Sequence, residues 1–125
     1  MNSEASKKKA VREVIQKYID GTYTANIPML ESVFHEKAVM NGYLGTNLIT
    51  ASPSPFIEDI ASAPSMKSNN DPFEAEITSI QIEGNTASVA LYETGFRGET
   101  ALVDFFHLIR VGEKWLIVSK LFTTL

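Results

Sequence analysis

The chain has 125 residues, 44% of them hydrophobic and 21% charged, with a formal net charge of -4 and no cysteine. One domain, 1–125, with one core fits that length, and the missing thiols exclude disulfides and thiolate metal sites. The mild acidity argues against nucleic acid as a partner. Lys7, Lys8 and Lys9 are the one basic cluster, and at the start of a helix they read as a solvated face. No apolar run approaches the roughly 18 residues that a membrane span needs, and the N-terminus has no apolar signal core. The expectation is a cytoplasmic protein with no membrane partner.

From Ser6 to Thr22 the apolar positions Ala10, Val11, Val14, Ile15, Tyr18 and Ile19 recur at helical spacing, which predicts an amphipathic helix ending near Gly21. Asn26 is placed to cap a second helix with Pro28 in its first turn and Ile27, Leu30, Val33 and Phe34 on its buried side. This helix is expected to stop near His35, whose imidazole suits the terminal carbonyls as a cap. A short strand, Ala38 to Leu44, and a Thr-, Ser- and Pro-rich loop, Gly45 to Pro55, lead to a third helix over Pro55 to Ala63. Ala63 to Pro72 is a polar connection.

Strands are predicted from Phe73 to Glu83, Thr86 to Phe96, Glu99 to Val111 and from Lys114 onward, joined by the turn signals Gly84-Asn85, Arg97-Gly98 and Gly112-Glu113. Helices followed by an antiparallel meander make an α+β layout. If the Gly112-Glu113 loop sets the register, Val111 faces Lys114 and the ladder runs on without a break to put Lys120 opposite Phe105. The Arg97-Gly98 turn sets Ser88, Ala90 and Tyr92 beside His107, Phe105 and Val103. Both turns then assign one face to Tyr92, Phe105, His107, Val118, Lys120 and Phe122. The other receives Val89, Leu91, Asp104, Phe106, Leu108, Trp115, Ile117 and Leu121. The mixed face suits a ligand pocket, with apolar walls and a few orienting polar groups. The more uniformly apolar face suits a subunit interface through Phe106, Leu108, Trp115 and Ile117, with Asp104 pairing Arg110 or Arg97 across it.

The order of elements, the Phe34-His35-Glu36-Lys37-Ala38 segment and the runs Asp104-Phe-Phe-His-Leu-Ile109 and Gly112-Glu-Lys-Trp-Leu-Ile-Val-Ser-Lys120 closely resemble the NTF2-like (SnoaL-like) superfamily, and within it the putative lumazine-binding family. The resemblance covers nearly the whole chain. It implies a cone of three helices packed on a strongly curved, mostly antiparallel sheet that encloses a pocket, and commonly a homodimer through the outer sheet face. The superfamily includes ketosteroid isomerases. By that resemblance Tyr18 falls at the oxyanion-hole tyrosine, His107 at the protonated aspartate of that hole and Phe122 at an aromatic that closes the pocket. The isomerase general base falls on Gly42, beside Asn41, so the proton-shuttling carboxylate is missing.

Each of these residues also has an ordinary structural reading. His107 in mid-strand can be a satisfied core histidine, Tyr18 a packed core tyrosine, and Lys120 a side chain that lays its stem along Phe105 and reaches water at a rim. Glu74 and Glu76 read as solvated. His35 and His107 lie far apart with no carboxylate at a regular spacing, so no metal and no cofactor are expected. The leading expectation is a protein that binds a small apolar or aromatic ligand, contacted by Tyr18, Phe34, Tyr92, Phe105, His107, Val118, Lys120 and Phe122. The alternatives are an isomerase- or polyketide-cyclase-like enzyme in which Tyr18 and His107 polarise a carbonyl and His35 moves the proton, and a non-catalytic interaction dimer with a filled interior.

Overall fold

A computed structural model describes residues 3–125. The elements run α1 (Glu4–Thr24), α2 (Ile27–Val33), β1 (Phe34–Leu44), β2 (Asn47–Ala51), α3 (Ser54–Ala61), β3 (Glu74–Glu83), β4 (Thr86–Phe96), β5 (Thr100–Val111) and β6 (Lys114–Thr124). The strands form one six-stranded sheet in the order β2-β1-β6-β5-β4-β3. All neighbours are antiparallel except β1 and β6. The α+β class is therefore as expected.

Local chemistry accounts for the helix ends. The Ser3 hydroxyl accepts from the Ser6 N–H at 3.1 Å and caps α1. At its other end Ala25 turns left-handed, at φ 54°, and the Asn26 N–H donates to the Gly21 carbonyl at 3.0 Å. Asn26 then caps α2 by accepting from the Met29 N–H at 3.2 Å. Val11, Ile15, Tyr18 and Thr22 form the buried stripe of α1, at the spacing that keeps one helix face toward the core.

Three local expectations are corrected. The strand expected from Ala38 begins at Phe34, so His35 caps no helix; it lies in β1 with Nδ1 accepting from the Lys37 N–H at 3.0 Å. The segment read as a loop from Gly45 contains β2, joined to β1 by a tight Gly45-Thr46 turn with Gly45 at φ 61°. The third correction concerns β6. Its ladder with β5 starts as expected, from Val111 opposite Lys114 to Leu108 opposite Ile117, but His107 then faces Ser119. Val118 is the extra residue of a bulge, which shifts every later residue of β6 to the other side of the sheet. Lys120 therefore lies beside Phe106, and Phe122 beside Asp104.

The β4–β5 ladder keeps the expected register from Thr86 opposite Ile109 to Glu93 opposite Leu102. The two faces, however, have exchanged roles. Val89, Leu91, Phe106, Leu108, Trp115 and Ile117 are buried in one core with Val11, Ile15, Tyr18, Leu30 and Ile60 of the helices. They are thus the chain's own interior, and the interface expected through Phe106, Leu108, Trp115 and Ile117 is excluded. The physical reason is that three amphipathic helices need a continuous apolar surface, and this face is the one that offers it. Tyr92 and Phe105, expected to line a pocket, stand on the outer face, 41% and 45% exposed. Glu74 and Glu76 are exposed.

Candidate functional site

A cavity of about 230 Å³ opens between the helices and the β1–β2 end of the sheet. Met40 and Leu44 of β1, Ile49 and Ala51 of β2, Phe56 of α3 and Phe96, Leu102 and Phe122 of the later strands make its apolar walls. Drug-sized ligand pockets run to about 300–1,000 Å³, so this space suits a smaller molecule. The polar groups that line it are few: Tyr18, Glu93 and Lys120, with Ser52 and Asp59. Asp59 is fixed by Arg97, whose Nη2 lies 3.2 Å from Oδ2 in a partly exposed pair. That engages Arg97 inside the chain, while Arg110 pairs with Glu113 at 3.5 Å. Neither meets Asp104, which instead faces inward.

Lys120 is at the centre of the polar end. The bulge at Val118 turns it inward, where it is 5% exposed. Its Nζ donates to the Tyr18 hydroxyl at 2.5 Å and lies 4.0 Å from Asp104 Oδ1. Aromatic rings surround the ammonium, with the centroid of Phe56 at 4.2 Å, Tyr18 at 5.0 Å and Phe122 at 5.3 Å. Cation–π attraction and one carboxylate replace the water that burial removes. The Tyr18 ring is itself held by Phe34 and Phe106 edge-on and by Phe56 stacked against it.

Two carboxyl groups, Glu93 at 2% and Asp104 at 1% exposure, share this space with one lysine. Ionising both would bury two anions against a single cation, and Glu93 Oε1 and both Asp104 oxygens have no protein donor. A proton on Glu93 resolves the conflict, since the acid can then donate to Asp104. Burial first, then the hydrogen bond and the charge of Asp104, push the Glu93 carboxyl up from an ordinary 4.5 to about 10, although Lys120 pulls the other way. Burial and the nearby Asp104 and Glu93 likewise hold the Tyr18 hydroxyl well above its ordinary range, so it stays protonated. Among the described residues no group of three carboxylate or imidazole side chains converges as a metal site would require.

The structure brings Tyr18, Lys120 and Phe122 of the expected ligand contacts into this cavity. Phe34 stands behind it, against the Tyr18 ring. Tyr92, Phe105, His107 and Val118 are elsewhere. His107 is exposed and borders, with Val118 and Ser88, a shallow depression on the outer face. The expected Tyr18–His107 pair is corrected, because the sheet lies between them. Sequence reasoning passed over Glu93, yet a signal was present: Val89, Leu91 and Glu93 alternate onto the same face.

Gly42 is the position at which the isomerase resemblance implied a general base. It pairs with Phe122 in the parallel ladder, and a Cβ built there would sit 2.0 Å from the Phe122 carbonyl oxygen. Backbone cannot yield as a side chain can, so no side chain enters the cavity from position 42 without moving β6.

Residues 6–123 match the model of the Putative lumazine-binding family. No curated protein matches the chain. Among solved structures it is similar to an NTF2-like protein of unknown function from Shewanella baltica, with a TM-score of 0.86 and 26% identity over 100% of this chain and 98% of that one. A second NTF2-like protein of unknown function, from Methylobacillus flagellatus, gives a TM-score of 0.88 at 22% identity over 99% and 96%. A ketosteroid isomerase-like protein from Erwinia carotovora atroseptica gives 0.68 at 16% identity over 100% and 98%.

Proposed function

The chain belongs to the Putative lumazine-binding family and has an NTF2-like fold, and on that premise we propose that it binds a small, largely apolar or aromatic molecule in the cavity beside Lys120. The observation that carries the reading is the polar end of that cavity. Lys120 and Glu93 are both nearly fully buried and both line an apolar space, and the ammonium has more N–H groups than the one it gives to Tyr18. Buried polar groups are costly unless something satisfies them, and a ligand in contact with both would do so. Among the described residues that line the cavity or stand behind it, each carboxyl group is engaged: Glu93 holds its proton, Asp104 lies behind Lys120 as its counter-ion and Asp59 is paired with Arg97. Binding without turnover is therefore favoured over the isomerase-like reading, whose Tyr18–His107 pair is not assembled. Gently ionised native mass spectrometry of freshly purified protein tests this. A mass above that of the polypeptide, released on activation and lost in a cavity-filling Ala51→Trp variant, supports the site; an extra mass that persists in Ala51→Trp places the ligand elsewhere and overturns it.

We also propose a homodimer through the outer face. Tyr92, Phe105, Ile109 and Leu121 are exposed there, and Phe105 lies opposite Leu121 and Ala90 in adjoining ladders. A second copy would remove this apolar row from water. Sedimentation should show a dimer that Phe105→Glu dissociates, and a monomer at micromolar concentration would sink the idea.

A further inference from the structure

Among the described residues Lys120 is the one buried lysine, and every other is exposed or half-buried. An apolar side chain would fill its place without the desolvation that a buried ammonium costs. Its surroundings suit an amine that reacts. The side chain lines the cavity, where it keeps 6% of its exposure, and the rings of Tyr18, Phe56 and Phe122 surround its head. Asp104 stands 4.0 Å from Nζ, and a shift of about 1 Å brings the two within hydrogen-bond reach. A proton moved across that pair leaves an uncharged amine and an uncharged acid. Two buried charges vanish together, and neither has to be carried into water.

The Tyr18 hydroxyl meets a second requirement of amine chemistry. It accepts from Nζ, it lines the same cavity, and burial keeps its own proton in place. A group held against the nitrogen is also held against an oxygen on the carbon that the nitrogen attacks. It can take a proton from one and give its own to the other in a single exchange.

Resting on the ligand-site reading above, we propose that Lys120 captures a small aromatic aldehyde in the cavity as a reversible protonated imine. The ammonium gives one proton to Asp104, and the freed nitrogen pair bonds to the aldehyde carbon as the carbonyl π pair moves to oxygen. Tyr18 takes a second proton from the nitrogen and gives its own to that oxygen, which completes a carbinolamine. The nitrogen then recovers the Asp104 proton and passes one through Tyr18 to the hydroxyl. The C–O bond breaks, water leaves, and the nitrogen pair closes the C=N bond. One cation has replaced another beside Asp104, so the charge balance of the site is unchanged. The aromatic class follows from the walls, since Phe56 and Phe122 offer flat surfaces to a conjugated ring in a space of about 230 Å³. An aldehyde suits it better than a ketone, because a hydrogen on the attacked carbon leaves room among the rings.

Benzaldehyde with cyanoborohydride at pH 7 tests this, since hydride fixes each imine as a benzylamine that peptide mass mapping locates. Lys120 should be labelled at least about tenfold faster than the exposed Lys17 and Lys114, and the preference should disappear in urea that unfolds the chain. Ala51→Trp should abolish labelling of Lys120 while Lys17 and Lys114 keep their rates. Tyr18→Phe, which removes the relay, should slow Lys120 alone by about tenfold or more. Lys120 labelled no faster than Lys17, or as fast in either variant as in the unaltered chain, overturns the proposal. In that event an extra mass in native spectra that Ala51→Trp removes leaves the ligand site standing, whereas absence of both the mass and the label brings down the site reading as well. If a variant does not fold, the ranking of the lysines in the folded and the urea-unfolded chain decides it.

Discussion

The β4–β5 and β5–β6 ladders both shift register, but the first does so beside its turn, between Glu93 and Phe96, and the second in mid-strand, at Val118. In β4 and β5 the side chains alternate between core and outer face without interruption across Thr86–Glu93. In β6 the alternation is Trp115 and Ile117 inward, then Val118 and Ser119 together, then Lys120 and Phe122 inward. The bulge has a chemical consequence. Without it Lys120 would lie on the outer face beside Phe105; with it a lysine enters the core next to Asp104 and Tyr18. The regular stretch of β4–β5 builds the apolar end of the interior, and the mid-strand bulge of β6 delivers the charged group that makes the other end a site.

The sharpest test of the face assignment uses two neighbours on β5. Phe106 is wholly buried, and Phe106→Ala should destabilise the chain by about 3–5 kcal/mol. Phe105→Ala, on the outer face, should cost less than about 1 kcal/mol at a concentration where the chain is monomeric. Urea unfolding of the two variants measures the difference, and equal losses would mean that the faces are misassigned.

Removing the inward lysine is next in size. Lys120→Met leaves Asp104 buried without its cation and should cost about 3 kcal/mol. Replacing both partners, Lys120→Met with Asp104→Leu, should recover most of that loss, since two apolar side chains need no compensation. If the double variant is no more stable than Lys120→Met alone, the two residues are not coupled.

A smaller effect appears as pH dependence. Glu93 is an acid whose folded-state pKa, about 10, stands above its ordinary 4.5, so the native chain holds this proton more tightly than the unfolded one. Stability from this group is complete below pH 4.5 and is lost progressively as pH rises toward 10. Glu93→Gln removes the slope. Its stability relative to the unaltered chain should grow by about 1–3 kcal/mol between pH 5 and pH 7 and grow again by pH 9, as read from thermal melts. A constant difference across that range would mean that Glu93 is ionised in the fold.

Much of this architecture is legible in the sequence, for reasons that are local. The α1 stripe and the Asn26 cap each follow from side-chain spacing or a capping residue, and the β4–β5 register over Thr86–Glu93 is the expected one, although at the turn itself Phe96 faces Thr100 and a shift beside it restores the pairing. The family resemblance adds the cavity and the helical cover. What escapes is non-local. Val118 looks like any strand residue, and only its neighbours in β1 and β5 show that it is extra. Alternation sorts residues into two sets but does not say which set the helices cover, so mixed polarity, which suggests a pocket, marks the outer surface instead. β2 was hidden by the Thr-, Ser- and Pro-rich composition around Leu48 and Ile49. The Glu93 proton depends on Asp104, on a different strand, and has no signature in either stretch of sequence.

His107 yields the smallest expected effect and the cleanest contrast with Tyr18. By resemblance it occupies the place of an oxyanion-hole acid, yet in β5 it alternates with the inward Phe106 and Leu108 and stands exposed on the other side. An exposed imidazole with no buried partner contributes little, so His107→Ala should change stability by no more than about 0.5 kcal/mol. It should also leave unchanged the extra mass carried in native mass spectra, because the sheet separates it from Lys120. Tyr18→Phe removes the hydroxyl that accepts from the Lys120 ammonium and should alter both stability and that extra mass. Native mass spectra of the two variants side by side decide which residue serves the cavity: a loss of binding in His107→Ala that matches Tyr18→Phe would reinstate the pairing the sheet now divides, whereas loss in Tyr18→Phe alone assigns the polar end to the residues that the Val118 bulge turns inward.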